Sequence, residues 1–112
     1  MPLPRYEIFK DTNGEYRFRL LAINGENILR SSEGYVARYD CLRAVAICQE
    51  NSPFDQYYNR SQSGTGNYWF TLRAKNGEDI GISEMYTTAY NRDNGIAAVK
   101  RDGQTKNIEE KL

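Results

Sequence analysis

The chain contains one stretch twice: GEYRFRLLAINGENILRS stands at residues 14–31, and GNYWFTLRAKNGEDIGIS stands at residues 66–83. Ten of the eighteen positions are identical at a constant separation of 52 residues, whereas ordinary residue frequencies give about one identity by chance. Beyond this stretch, four more identities recur at a separation of 51 residues. A repetition that covers nearly the whole chain predicts two copies of one structural unit.

Within each copy, the apolar residues mark out strands and then a helix. Residues 15–23 and 67–75 alternate apolar and polar side chains, which is typical of a strand with one buried face. Asn-Gly follows each strand and predicts a hairpin with a type I′ turn, in which both central residues have positive φ. The same reasoning places strands at 6–10, 26–32, 57–62, 78–83 and 105–109, and helices at 38–50 and 89–101.

These elements predict an α+β fold in which each repeat has three strands followed by a helix, with one more strand at the end of the second repeat. A chain of 112 residues can bury one core but not two independent ones. We therefore predict a single domain over residues 1–112, with repeat one at 1–53 and repeat two at 54–112. Both helices are predicted to pack on the same face of its sheet.

The identities also predict which side of the sheet faces the helices. In the central strands they fall on alternate positions, occupied in the first copy by Tyr16, Phe18, Leu20 and Ala22. The five intervening positions point to the other side and differ between the copies at every position. A shared core explains this pattern, so a function is expected where the copies differ.

The divergent outer face contains the first candidate binding surface, formed by Arg17, Arg19, Trp69, Arg73 and Lys75. An aromatic ring among basic residues on an open sheet can bind single-stranded nucleic acid by stacking and phosphate contacts. Trp and Arg are also enriched at the centres of protein interfaces. The structural alternative is that a cross-strand neighbour or a loop covers Trp69.

A second candidate is the motif Ser-Glu-x-Tyr, which precedes the helix in both copies. Its residues are Ser32, Glu33 and Tyr35 in the first copy, and Ser83, Glu84 and Tyr86 in the second. If these groups met in a pocket, the carboxylates and phenols could support a small enzyme. The structural alternative is that Ser and Glu satisfy backbone donors while the tyrosine packs.

Composition removes several other chemistries. The 15 basic and 15 acidic residues balance, and the chain has no histidine, which is the commonest general base and transition-metal ligand. Cys41 and Cys48 lie about 10 Å apart along one helix, too far for a disulfide between them, and we interpret both as reduced thiols that pack in the core. We expect no metal, no cofactor and no catalytic residue.

The beginning of the chain lacks the basic region and long apolar run of a signal peptide or membrane anchor. We therefore expect a cytoplasmic protein that makes no contact with membranes. A built-in pair of repeats already resembles a dimer, so we expect a monomer.

The motif order resembles that of the bacterial YegP-like family. The first copy contains GEYRFRL at residues 14–20, NGENI at 24–28 and SEGY at 32–35, and the second contains NYWFTLRAKNGE at 67–78 and GIAAVK at 95–100. The resemblance covers essentially the whole chain in its two-copy form. Members are described as a domain of unknown function, so the resemblance implies a fold and no catalytic residues. The implied fold is a tandem repeat of a β-β-β-α-β unit, in which the two units join into one antiparallel sheet and exchange their C-terminal strands.

Taken together, the residues favour a small, non-enzymatic binding or interaction module that uses the outer sheet face. Its expected ligand is a protein partner or a single-stranded nucleic acid. A small enzyme built on the Ser-Glu-x-Tyr motifs is the alternative from a different class.

Overall fold

The computed structural model describes residues 3–112 and has the order β-β-β-α-β-β-β-α-β. The strands are β1 Arg5–Lys10, β2 Tyr16–Leu21, β3 Asn27–Ser31, β4 Tyr58–Gln62, β5 Tyr68–Arg73, β6 Asp79–Ile82 and β7 Ile108–Lys111. The helices are α1 Arg38–Asn51 and α2 Ala89–Asp102, and a 3-10 turn at Asp55–Tyr57 leads into β4. All strands and both helices predicted from the sequence are present, and the last strand begins three residues later than predicted.

The seven strands form one sheet in the order β4-β5-β6-β3-β2-β1-β7. The first six are symmetric about the junction of β3 and β6, where Arg30 lies opposite Ile82, its own counterpart at a separation of 52 residues. The repeats are therefore related by a pseudo-two-fold axis. Leu29 and Gly81 are also counterparts at a separation of 52 residues. They do not lie directly opposite each other, but the Leu29 side chain lies against the bare backbone of Gly81.

The C-terminal strand crosses from the second repeat to the first, because β7 pairs with β1 at the edge of the sheet. The exchange implied by the family resemblance is thus confirmed for this strand. The pairing is parallel, so the sheet is mixed rather than antiparallel throughout. β4, at the opposite edge, has no equivalent neighbour among the described residues.

The Asn-Gly hairpins are present, but the prediction of a type I′ turn is wrong. Among the described residues, positive φ occurs only at glycines, including Gly25 at 85° and Gly77 at 89°. The Gly25 N–H donates to the Ala22 carbonyl, and the Ala22 N–H donates to the Glu26 carbonyl. This is a three-residue loop in which only the glycine takes the left-handed conformation. Asn24 keeps negative φ while its side chain accepts a hydrogen bond from the Glu26 N–H at 3.0 Å.

Both helices lie on the sheet face predicted from the repeat. α1 packs against β2, β5 and β6, and α2 packs against β5 and β3, so each helix contacts both repeats. The inward stripe Val45, Cys48, Ile96 and Val99 is buried together with the repeated strand residues in one cluster. Thr88 caps α2 by accepting a hydrogen bond from the Asn91 N–H at 3.0 Å.

Two buried tyrosines connect the sheet to the helix ends in a symmetric way. The Tyr6 hydroxyl donates to the Gly103 carbonyl at 2.7 Å, and the Tyr58 hydroxyl donates to the Ser52 carbonyl at 2.7 Å. Each tyrosine therefore satisfies a carbonyl just beyond a helix C-terminus. Within the described part of the chain, no helix is long and apolar enough to span a bilayer.

Candidate functional site

The sheet face opposite the helices forms a continuous surface, which we call the open sheet face. Its central row follows the pairing across all seven strands and consists of Asn59, Thr71, Ile82, Arg30, Arg19, Glu7 and Glu109. Trp69 and Arg73 flank Thr71 on the same side, and Arg17 flanks Arg19. The face assignment made from the repeat therefore holds within the strands.

Most of the predicted basic residues on this face are neutralised by carboxylates within the chain. The ion pairs are Arg17 with Asp11 at 2.7 Å, Arg19 with Glu7 at 2.8 Å, and Arg73 with Asp79 at 2.7 Å. Among residues 3–112, Arg30 makes no ion pair and is exposed at the centre of the face. Arg30 was not among the candidates predicted from the sequence. Its position also differs between the repeats, because the second repeat has Ile82 there.

Lys75 does not share this surface. It follows the end of β5 and lines a cavity of about 290 Å³ beside α1, together with Glu50 and Asn51. The sequence-based assignment extended the alternation of strand faces past Arg73, where the strand ends. In the turn that follows, side chains no longer alternate between the two faces of the sheet.

Glu7 is a buried carboxylate at the edge of the open sheet face, with 3% of its surface exposed. Burial alone would raise its pKa, but hydrogen bonds and charge from Arg19 and Arg5 outweigh burial and lower it. The Arg19 guanidinium also lies 5.0 Å from the centre of the Phe9 ring. These contacts fix Arg19 in place and leave it little freedom to contact a phosphate.

Trp69 is partly exposed on the same face, opposite Ser61 on β4. The neighbouring Thr71 is 6% exposed, and its hydroxyl oxygen is buried without a hydrogen-bond partner in the described residues. The sequence left two alternatives open, an exposed Trp69 that binds a ligand and a Trp69 covered by a neighbour or a loop, and its partial exposure lies between them. The tryptophan is neither fully covered nor a freely projecting platform.

On the helix side of the sheet, the two repeated polar motifs meet across the pseudo-two-fold axis. Tyr35 lies near Glu33 of its own motif and near Glu78 of the Asn-Gly-Glu turn in the other repeat, and burial with these charges raises its pKa to about 12. Burial, Glu84 and Glu26 likewise raise the pKa of Tyr86. The recurrence of both motifs in the two copies is the sequence signal that could have indicated this proximity.

Ser32 and Ser83 hold the same place in the Ser-Glu-x-Tyr motif, but they are not structural counterparts. The Ser83 hydroxyl accepts a hydrogen bond from the Phe70 N–H at 3.0 Å, and the Ser31 hydroxyl accepts one from the Phe18 N–H at 3.4 Å. Ser31 is therefore the structural counterpart of Ser83, and both are buried. Ser32 is an additional exposed residue, and its hydroxyl donates to the Asp79 carbonyl at 2.6 Å.

A cavity of about 320 Å³ lies between α1 and the β5–β6 turn, and we call it the α1 cavity. Of the four predicted carboxylate and phenol residues, it contains Glu33 and Tyr35, whereas Glu84 and Tyr86 belong to the other half of the molecule. Both glutamates are exposed. The four groups predicted for an enzyme site therefore do not meet in this cavity.

Both cysteines are buried in the core. Burial raises the pKa of the Cys41 thiol to about 11 and raises that of Cys48 further. A thiol that stays protonated is a poor nucleophile. In the part of the chain that the structure describes, no cluster of His, Cys, Asp or Glu could hold a metal ion.

These features define a class of small tandem-repeat α+β proteins, with one mixed sheet, two helices on one face and an uncovered second face. The chain matches the family described as "Domain of unknown function (DUF1508)" twice, over residues 11–58 and 64–110. It is 36% identical over 105 residues to UPF0339 protein YegP of Escherichia coli (strain K12), covering 94% of each chain. The chain belongs to this YegP-like UPF0339 family.

Further relatives agree in sequence and in structure. A UPF0339 protein from the ptx operon 5′ region of Stutzerimonas stutzeri is 43% identical over 95 residues, covering 85% of each chain. The solution NMR structure of Escherichia coli YegP, a protein of unknown function, matches with a TM-score of 0.92 at 34% identity, covering 99% of this chain and 95% of that one. A UPF0339 protein from Shewanella oneidensis matches with a TM-score of 0.90 at 35% identity, covering 97% and 92%.

Proposed function

We propose that the protein is a non-enzymatic interaction module that binds a protein partner through the open sheet face. The observation that carries the proposal is the face itself: both helices pack on the other side, and this side has no covering element among residues 3–112. Its centre combines an unpaired arginine, Arg30, with the aliphatic Ile82 opposite it and the partly exposed Trp69 nearby. Arg and Trp surrounded by apolar and paired groups are typical of interface centres.

Charge pairing supports a protein partner over single-stranded nucleic acid. Binding to a phosphate backbone relies on several cations that are free to replace counterions. Here Arg17, Arg19 and Arg73 are already paired, and Arg30 is the free arginine of the described central row. Protein interfaces have a polar rim around a more apolar core. The paired charges of this surface correspond to such a rim, and its small apolar centre corresponds to such a core.

The absence of enzymatic activity is part of the proposal. Both cysteine thiols are buried, and both motif glutamates are exposed in separate halves of the molecule. The sequence also has no histidine to act as a general base at neutral pH. These features support a role in binding.

The single tryptophan gives a direct test, because Trp69 lies on the proposed surface and is the only one in the sequence. Proteins captured by the wild-type chain should be lost with Trp69→Phe and Arg30→Glu. They should be kept with Tyr90→Phe, which changes a residue of α2 that is 75% exposed. Each captured protein is then purified and titrated while the Trp69 emission is recorded. Saturable binding with a change in emission, weakened by Arg30→Glu, is the expected result.

Two outcomes would reject the proposal. Partners that bind wild type and both sheet-face variants equally would place the contact elsewhere. Saturable binding of a fluorescent single-stranded oligonucleotide, with affinity that falls steeply with salt and is lost in Arg30→Glu, would assign the face to nucleic acid.

A further inference from the structure

The α1 cavity is a concave site on the opposite side of the sheet from the proposed interaction surface. It lies where α1 of the first repeat crosses the β5–β6 turn of the second, so residues from both repeats line it. Its volume of about 320 Å³ is at the lower end of the range for small-ligand pockets, which is about 300–1,000 Å³. Arg30, Ile82 and Trp69, which form the centre of the open sheet face, do not line it.

The rim of the cavity is strongly acidic. Three residues that line it carry carboxylates, Glu33, Asp40 and Glu78, against one guanidinium, on Arg43. Asp79 also lines the cavity, but its carboxylate is paired with Arg73 on the open sheet face. The other three carboxylates form no ion pair within residues 3–112. The cavity therefore has a net negative charge that nothing in the described chain neutralises.

The floor of the cavity is apolar and aromatic. Ala44, Ile47 and Ile80 contribute aliphatic surface, and Tyr35 contributes part of its ring. Because the pKa of Tyr35 is raised to about 12, its phenol is neutral at physiological pH and can still donate a hydrogen bond. An acidic rim above an apolar and aromatic floor suits a ligand with a cationic end and a short apolar stem.

A comparison of the repeats explains why the cavity is open. In the second repeat, the Tyr86 hydroxyl lies so close to α2 that a Cβ on Gly95 would overlap it and would come within 2.9 Å of the ring carbon Cζ. At the matching place on α1, Ala44 has the methyl group that Gly95 lacks. A hydroxyl placed against α1 as that of Tyr86 lies against α2 would overlap this methyl group. The Ala44 methyl is therefore expected to hold Tyr35 away from its helix and to keep the space beside Ala44 open.

We propose that the α1 cavity binds the ammonium or guanidinium group of a ligand with a short aliphatic stem. The cation would lie among Glu33, Asp40 and Glu78, and the stem would contact Ile47 and Ile80. An ammonium ion near carboxylates and an aromatic ring gains charge-assisted hydrogen bonds and a cation–π contact. A free diamine and the lysine side chain of a protein have the same chemistry, so both are tested as sources.

The direct test is a titration with 1,4-diaminobutane, followed by the backbone amide signals of the ¹⁵N-labelled full chain. Saturable shifts are expected at residues 33–47 and 76–80, with none at the matching positions 84–98 and 24–28. Butane-1,4-diol serves as the neutral control, and sodium chloride at equal ionic strength controls for general screening. A capped lysine amide forms the second arm: tighter binding than the diamine would indicate a protein side chain, and weaker binding a free amine.

Variants separate a shaped site from a general negative charge. Glu33→Gln and Glu78→Gln should each weaken diamine binding by about fivefold, as expected for one partly exposed ion pair. The matched controls Glu84→Gln and Glu26→Gln make the same changes at the corresponding positions of the other half and should leave the affinity unchanged. Ala44→Gly keeps every carboxylate but lets Tyr35 close onto α1, so it should also weaken binding by about fivefold or more.

Several results would overturn the proposal. Shifts that do not saturate, or that sodium chloride reproduces, would show only counterion association. Equal losses in the two halves would show that charge alone is responsible, and unchanged binding in Ala44→Gly would show that the cavity does not shape the site. The amide spectrum of each variant reports whether it is folded, and the exposed Glu→Gln pairs supply the answer if Ala44→Gly is not.

Discussion

Gly81 and Leu29 provide a quantitative test of the pseudo-two-fold packing, because they are counterparts that share one space. A Cβ built on Gly81 would lie 2.8 Å from both Cγ and Cδ2 of Leu29, and 3.0 Å from Cδ1. Both residues are buried on the two central strands, where the backbone has little room to move. A side chain at position 81 therefore overlaps the leucine at position 29.

The expected energies follow from these distances. Gly81→Ala adds an overpacking cost of about 1–3 kcal/mol, from which about 0.5–1 kcal/mol is recovered because alanine loses less backbone entropy than glycine. Leu29→Ala leaves a cavity and costs about 2–5 kcal/mol. In the double variant, the three Leu29 atoms that would contact the new methyl are absent. Its free energy of unfolding should therefore fall by about 1–3 kcal/mol less than the sum of the single effects.

The measurement is urea unfolding followed by far-ultraviolet circular dichroism, with the slope and midpoint fitted for all four proteins. Gly64→Ala is the matched control, because nothing lies within 4 Å of an added Cβ and its φ is not positive. It should be neutral or slightly stabilising. Additive effects of the two core substitutions, within about 0.5 kcal/mol, would refute the shared packing space.

Three further predictions concern the buried polar groups. Tyr6→Phe and Tyr58→Phe each remove a 2.7 Å hydrogen bond to a carbonyl. Each should lower the free energy of unfolding by about 1–3 kcal/mol. An unchanged free energy in urea unfolding would show that water replaces the hydroxyl. The pKa of Glu7 is lowered in the folded state, so its contribution to stability is present above its unfolded pKa of about 4.3 and is lost as the pH falls through the folded pKa. Glu7→Gln should therefore reduce the loss of unfolding free energy between neutral and acidic pH. An unchanged loss of stability at acidic pH would contradict this. Cys41 and Cys48 should react with a thiol reagent only after unfolding, and rapid labelling of the native protein would contradict their burial.

Much of the architecture could be predicted because it depends on short-range patterns. Alternating residues such as Phe18 and Phe70 indicated the strands and their inward face, and both residues are fully buried. Thr88 caps α2 at its first turn by accepting a hydrogen bond from the Asn91 N–H. Such signals arise within a few residues of the chain, since side-chain direction and capping follow from local backbone geometry.

The candidate surfaces were predicted less completely, because they depend on groups that meet across the sheet. The candidates Arg17, Arg19 and Arg73 lie on the predicted face, yet each has a carboxylate partner. Two of those carboxylates lie six residues away in sequence, and Glu7 lies on the neighbouring strand. The alternating pattern gave no sign of this pairing, which depends on strand register and on side-chain reach. Lys75 was misplaced because alternation ends with the strand.

The sequence by itself determined that two copies of one unit build the protein, which elements each copy forms and which face each strand buries. These properties are encoded in the repeat and in periods of two and 3.6 residues. Only the tertiary structure decided the parallel docking of β7, the proximity of Tyr35 to Glu78 from the other repeat, and the cavity beside Ala44. The physical reason is that these features join residues far apart in the chain, and their positions are fixed by packing across the pseudo-two-fold axis.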